Sequence, residues 1–179
     1  MSMFAHLDWA TAVLGLGSNV GDRMAHLQSA VDALDKNDNV DVLEVSPVYE
    51  TDPVGGPDQD PYLNAVVRIA TLLDPRDLLA LAHELEDARG RERTEHWGPR
   101  TLDVDLVWFR SYIVNTTPLT LPHPRAHERA FVLAPWADID PDAEVQGKGT
   151  VRDLLAQVPH EGVRRRDDLH LLFVGTETP

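Results

Sequence analysis

The chain has no cysteine among its 179 residues, which excludes disulfides, thiolate metal sites and a cysteine nucleophile together. A reducing compartment is compatible with that absence. No run approaches the ~18 consecutive apolar residues of a membrane-spanning helix. The opening MSMFAHLDWA has no basic segment ahead of an apolar stretch, so no secretory leader is expected and the protein reads as soluble and cytoplasmic. Positive charge is scarce: 16 Lys plus Arg against 30 Asp plus Glu give a net charge of −14 at pH 7. An acidic balance of that size disfavours broad contact with nucleic acid or an anionic membrane. An anionic ligand must then be met by a local cationic patch or by metal. Interdomain linkers and internal repeats are missing too, so residues 1–179 are expected to form one domain with a sizeable core.

The positive charge that is present concentrates in residues 89–106. Arg89, Arg91, Arg93 and Arg100 crowd around Gly90, Trp97, Gly98 and Pro99, making a basic loop that feeds the segment TLDVDL. There Asp103 and Asp105 alternate with Leu102, Val104 and Leu106. On a β-strand this puts both carboxylates on one face, about 7 Å apart at Cα. Such a pair suits Mg2+, which takes one or two carboxylates together with substrate phosphates and water. Arginine supplies permanent charge to the same phosphates. Alone, an Asp-x-Asp strand is more often a solvated face; the adjoining arginines turn the reading toward polyphosphate and divalent metal.

Periodicity orders the elements. Residues 11–17 read as a strand and 22–34 as a helix. Residues 40–49 read as one strand, 51–61 as a Pro/Gly-rich loop and 62–72 as another strand. Asp74-Pro75 is an N-cap with proline at the first helical position, opening a helix to about residue 87. Residues 101–109 form the acidic strand. The result is an α+β fold with a ferredoxin-like βαββαβ core, over about residues 11–141, and C-terminal additions over about 142–179. In those additions, 150–158 read as a short helix and 169–174 as a last strand, while Arg164-Arg165-Arg166 reads as a solvated loop.

Three other motifs carry weaker signals. LGLGSNVG at 14–21 follows a strand and opens a helix, but Val20 stands where a dinucleotide fingerprint needs its third glycine. A tight turn capped by Ser18, Asn19 or Asp22 is the better reading, with backbone donors available to an anion. His123 and His127 have helical zinc spacing, yet Pro122 and Pro124 flank the first, so a helical pair is excluded and His123 is either a loop donor to phosphate or a packing residue. Tyr62, Trp97 and Phe131 either fill the core or stack on a planar ligand. Tyr62 shares a strand face with Asn64, which has the hydrogen-bonding groups to read such a ligand's edge.

With these residues assembled, the chain resembles the 6-hydroxymethyl-7,8-dihydropterin pyrophosphokinases of folate biosynthesis. The segments that carry the likeness are LGLGSNVGDR at 14–23, SPVYETDPVG at 46–55 with DPYLNAVV at 60–67, GRERTEHWGPRTLDVDLVWF at 90–109 and LTLPHPRAHERAFVLAPWADIDP at 119–141. The resemblance implies a ferredoxin-like α+β fold with an antiparallel sheet and two Mg2+ ions. It implies transfer of the β,γ-diphosphate of ATP to the pterin hydroxymethyl group, with release of AMP. By the same resemblance Asp103 and Asp105 bind both metals, and Arg91 and Arg100 act on the phosphates with Arg93 as helper. Tyr62 and Phe131 would sandwich the pterin, with Thr51, Val54 and Asn64 at its polar edge and Trp97 closing over the site. Glu86, Leu106, Thr120, His123 and Arg129 belong to the nucleotide side. The partners implied are ATP and the pterin, with a monomer expected.

Two rival classes fit the residues less well. A nucleotidyltransferase pairs a Gly-Ser turn with an Asp-x-Asp strand close in sequence, whereas Gly17-Ser18 lies about 85 residues from Asp103. A non-catalytic ferredoxin-like module has no need of paired carboxylates beside arginines.

Overall fold

The computed structural model describes residues 8–53, 58–90, 101–110 and 112–175. Its elements run β1 (Ala10–Ser18), α1 (Arg23–Asp35), β2 (Val40–Val45), β3 (Val48–Thr51), β4 (Tyr62–Thr71), α2 (Pro75–Asp87) and β5 (Asp103–Phe109). A small hairpin of β6 (Val114–Asn115) and β7 (Thr120–Leu121) follows, then a 3-10 turn and α3 (Ala130–Ile139). The chain finishes with β8 (Glu144–Val145), β9 (Gly149–Thr150), α4 (Val151–Gln157) and β10 (Val163–Arg166). Both central helices begin where the sequence places a cap. Asp22 accepts a hydrogen bond from the Ala25 amide, and Asp74 accepts from Asp77 with Pro75 opening the first turn.

The main sheet runs β10-β3-β4-β1-β5, with β2 also paired to β4, and its pairings are antiparallel. Placing β4 between β1 and β2 is the split βαβ arrangement expected of the ferredoxin-like core. Alternation then sorts side chains between two faces. One face carries Leu14 and Leu16, Leu63 and Ile69, and Val104 and Leu106, packed on Leu27 and Val31 of α1 and Leu78 of α2. The other carries Val13, Val66 and Val107 under Leu133 and Trp136 of α3 and Leu154 of α4. That second core covers only part of its face. Along the same rows, toward the ends of β1, β4 and β5 near Ser18, Tyr62 and Asp103, lie Gly15, Gly17, Asn64, Asp103 and Asp105.

Three expectations need correction. Residues 40–49 are two strands, because Pro47 has no N–H to extend the ladder. Ser46 takes over at the break: its amide donates to the Val66 carbonyl at 2.9 Å and its hydroxyl accepts from the Val66 amide at 2.8 Å. Arg164-Arg165-Arg166 is an edge strand and not a solvated loop, its charges matched by carboxylates on β3, on α3 and just beyond its own end. Residues 169–174 join no ladder. They lie along α1, where Gln28 donates to the Leu172 carbonyl at 2.6 Å and accepts from its amide at 2.9 Å. Leu169 and Leu171 pack half-buried against the core, and the surface that the segment covers is a helix.

Candidate active site

The β4-β1-β5 register sets Asn64 opposite Gly17 and Gly17 opposite Asp103; one row further, Val66, Gly15 and Asp105 line up. Two glycines thus form a low floor between an amide wall and a carboxylate wall. A Cβ at Gly17 would sit 3.0 Å from Asn64 Oδ1, 3.8 Å from the Tyr62 ring and 3.9 Å from Asp103 Cβ. A methyl group at Gly17 would crowd the Asn64 amide, so the bare floor leaves that side chain in place. The apolar run over residues 11–17 placed both glycines in a strand, as the structure has them; which side chains flank them was not legible there.

On the amide wall, Asn64 Nδ2 donates to Thr51 Oγ1 at 2.7 Å, with both residues almost fully buried. Thr51 pairs with Tyr62 across the β3-β4 ladder, so Thr51, Tyr62 and Asn64 come together as expected. Phe131 stands in the first turn of α3, on the same face of the sheet, with the Arg129 guanidinium 5.5 Å from its ring centroid. The approach to Tyr62 is tethered by residues between β1 and the first turn of α1. Asn19 Nδ2 donates to Gln59 Oε1 at 2.8 Å and to the Asp60 carbonyl at 3.1 Å, while Arg23 donates to the Pro61 carbonyl at 2.9 Å. Sequence reasoning missed Asn19 and Arg23 in this role. Their only signal was polarity just past a strand that ends in the core.

On the carboxylate wall, Asp103 and Asp105 are half-buried, and the backbone between them is fixed from behind. Buried Glu86 accepts the Val104 amide on Oε1 at 2.9 Å. A cavity of about 350 Å3 opens beside β5, lined by Glu86, Asp105, Leu106, Thr120 and His123 among others. The His123 amide donates to the Val107 carbonyl at 2.8 Å and its Nδ1 accepts from the Arg125 amide at 3.2 Å. That leaves the proton of the neutral ring on Nε2. Burial, with the charges of Arg129 and Arg125, lowers the His123 pKa from 6.5 to about 4, against an opposing pull from Asp103. The ring is therefore neutral at pH 7. Burial also lowers the Arg129 pKa, opposed first by the charge of Asp105 and later by that of Asp103.

Among the described residues no group of three or more His, Cys, Asp or Glu could hold a metal by itself. Two carboxylates on one strand face are instead the donor set for a hard cation that draws its remaining oxygens from a phosphate ligand and water. Val54, Arg91, Arg93, Trp97 and Arg100 lie outside the described residues. Of the other expected site residues, the structure collects Thr51, Tyr62 and Asn64 at one end of the floor and Asp103 and Asp105 at the other. Glu86, Leu106, Thr120 and His123 line the cavity behind β5, and Phe131 and Arg129 belong to the start of α3.

Residues 13–141 match the family model described as 7,8-dihydro-6-hydroxymethylpterin-pyrophosphokinase (HPPK). The chain is 44% identical over 153 residues to the 2-amino-4-hydroxy-6-hydroxymethyldihydropteridine pyrophosphokinase of Bacillus subtilis (strain 168), covering 86% of this chain and 88% of that one. The protein of the same name from Mycobacterium leprae (strain TN) is 47% identical over 169 residues, covering 85% and 86%. Among solved structures, wild-type Plasmodium falciparum HPPK-DHPS with pterin and p-hydroxybenzoate superposes with a TM-score of 0.66 at 16% identity. That superposition covers 84% of this chain and 42% of the other, and it supports the fold alone.

Proposed function

The chain belongs to the 7,8-dihydro-6-hydroxymethylpterin-pyrophosphokinase family, and we propose how its residues divide the family's work of moving diphosphate from ATP onto the hydroxymethyl group of the dihydropterin in folate biosynthesis. The observation that carries this division is the glycine floor, which has a stacking and hydrogen-bonding wall on one side and a paired-carboxylate wall on the other. Tyr62 and Phe131 hold the two faces of the pterin ring. Asn64, with Thr51 behind it, reads the polar edge and aims the hydroxymethyl group across Gly17, and Val54 is assigned to the same edge by its place in the SPVYETDPVG segment.

The cavity beside β5 takes the nucleotide. Glu86, Leu106 and Thr120 lie against it, and His123 presents its Nε2 proton to a phosphate oxygen. Arg129 adds positive charge at the same wall. Asp103 and Asp105 would hold Mg2+, two ions in this reading, which when bound would supply neutralisation of the polyphosphate charge. Arg91, Arg93 and Arg100, by their places in the GRERTEHWGPRTLDVD segment, act on the same phosphates, and Trp97 contacts both substrates. In the transfer, the pterin hydroxyl oxygen bonds to the β-phosphorus as the bridge to the α-phosphate breaks. AMP leaves with the bonding pair and the hydroxyl proton passes to water. No strong base is required, because positioning and charge stabilisation supply most of the catalysis in phosphoryl-type transfers.

We read residues 1–179 as one pyrophosphokinase domain acting as a cytoplasmic monomer without nucleic-acid or membrane partners. The described residues include no helix long and apolar enough to cross a membrane. Incubation with ATP, Mg2+ and 6-hydroxymethyl-7,8-dihydropterin should yield AMP only when the pterin is present. Release of pyrophosphate instead, or no turnover, overturns the reading.

A further inference from the structure

Strand β10 lies beyond residues 13–141, the span of the family match, yet it closes the sheet edge against β3. Its register sets Val163 opposite Thr51, Arg164 opposite Glu50, Arg165 opposite Tyr49 and Arg166 opposite Val48. The short strand β3 is therefore paired along its whole length on this side, and from Tyr49 to Thr51 on the other side to β4. Thr51 stands between Val163 and Tyr62 and is 5% exposed. Without β10 it would be an edge residue.

Both faces of β10 are anchored. Toward α1, the Glu50 carboxylate receives Arg166 at 2.9 Å, Arg23 at 3.3 Å and Arg164 at 3.4 Å. Arg164 also forks onto Asp52, at 3.0 and 3.3 Å. The Asp52 amide donates to the Gly162 carbonyl at 3.0 Å, and Gly162 has φ of +74°, where a Cβ would fall 2.8 Å from Asp52 Oδ2. Toward α3, Arg165 lies 3.7 Å from Asp138, which accepts the Tyr49 hydroxyl at 2.6 Å. Strands β3 and β10 are thus tied to the helix that carries Phe131.

We propose that this C-terminal strand is a positioning device for the pterin subsite, with Arg164 as a positioning residue that holds Glu50 and Asp52 and so fixes Thr51 between them against Asn64. The inference rests on the functional reading above. Single exposed ion pairs contribute little to stability. The Thr51–Asn64 bond, however, is short and directional, and a shift of a few tenths of an ångström at Thr51 weakens it. Arg164 is remote from the nucleotide cavity, so its loss should separate the two substrates kinetically.

The test measures KM for pterin and for ATP, with thermal unfolding in parallel, in Arg164→Glu, Arg164→Lys and Gly162→Ala. Arg164→Glu sets a like charge beside Glu50 and Asp52 and should raise the pterin KM about fivefold while ATP KM stays unchanged. Arg164→Lys should restore most of the loss, and Gly162→Ala should reproduce the defect without touching the charge. A purely structural role would lower the unfolding midpoint and leave pterin KM where it was. That result in both Arg164→Glu and Gly162→Ala, or a parallel rise in ATP KM, overturns the inference. Absence of pterin-dependent AMP from the wild type would instead overturn the functional reading beneath it.

Discussion

Replacing Gly17 with alanine is the sharpest probe of the site, because it adds one methyl group at the centre of the floor. The backbone there tolerates the change, since Gly17 is not among the positive-φ glycines and lies within β1. Removing glycine's freedom from the unfolded chain would by itself stabilise the fold by about 0.4–1 kcal/mol. The cost falls on the neighbours. The new Cβ would stand 3.0 Å from Asn64 Oδ1 but 3.9 Å from Asp103 Cβ, an ordinary contact. Asn64 must yield, and it is 6% exposed with its amide nitrogen held by Thr51 at 2.7 Å. If the shift costs that one hydrogen bond, about 0.5–1.5 kcal/mol is lost, or about two- to twelvefold in pterin affinity. Steady-state AMP formation with pterin varied at saturating ATP reads the effect, and thermal unfolding reads the fold. Pterin KM should rise and ATP KM should hold, while the unfolding midpoint moves little, because the lost hydrogen bond and the backbone gain largely offset one another. In Gly15→Ala the new Cβ meets only Val107 Cγ2 at 3.3 Å, so pterin KM should not move. Unchanged pterin KM in Gly17→Ala, or an equal rise in Gly15→Ala, refutes the division of the floor into two walls.

Asp105→Ala should nearly abolish turnover while the protein stays folded, since it removes half of the carboxylate pair; near-normal activity would defeat the metal assignment. Glu86→Ala leaves the buried Val104 amide without its acceptor, and should cost about 1–3 kcal/mol in denaturant unfolding and raise ATP KM. Glu86→Gln keeps an acceptor oxygen and should cost less; equal losses in the two variants would rule out a positioning role for Oε1. For His123, the folded chain takes up its proton near pH 4 and the unfolded chain near 6.5. Its contribution to stability is therefore complete above pH 6.5 and lost as pH falls from there toward 4. His123→Gln should make the fall in unfolding midpoint shallower between pH 6.5 and 4. A ring titrating near 6.5 by NMR in the unliganded protein would contradict the burial argument.

Much of the arrangement was legible in the chain itself. An apolar run identified β1, alternation identified β5, and capping aspartates located α1 and α2, because those signals depend on neighbours within a few residues. The pairing of Asp103 with Asp105 and of Tyr62 with Asn64 on common strand faces followed from the two-residue period alone. By contrast, the break at Pro47 was read through, because strand alternation resumes beyond it at Val48. The role of Arg164-Arg165-Arg166 was invisible because its partners Glu50, Asp52 and Asp138 are remote in the chain.

What the sequence determined by itself was therefore the set of local elements, the acidic strand beside a basic loop, and through long ordered motifs the family. Tertiary structure decided which groups meet. Gly17 is crowded at its Cβ position because a strand more than forty residues away along the chain brings Asn64 beside it, with Asp103 on its other side. Thr51 is buried because a strand from the C-terminal additions lies along β3. Both facts depend on register and strand order, and register is set by packing one whole face of the sheet against α1 and α2.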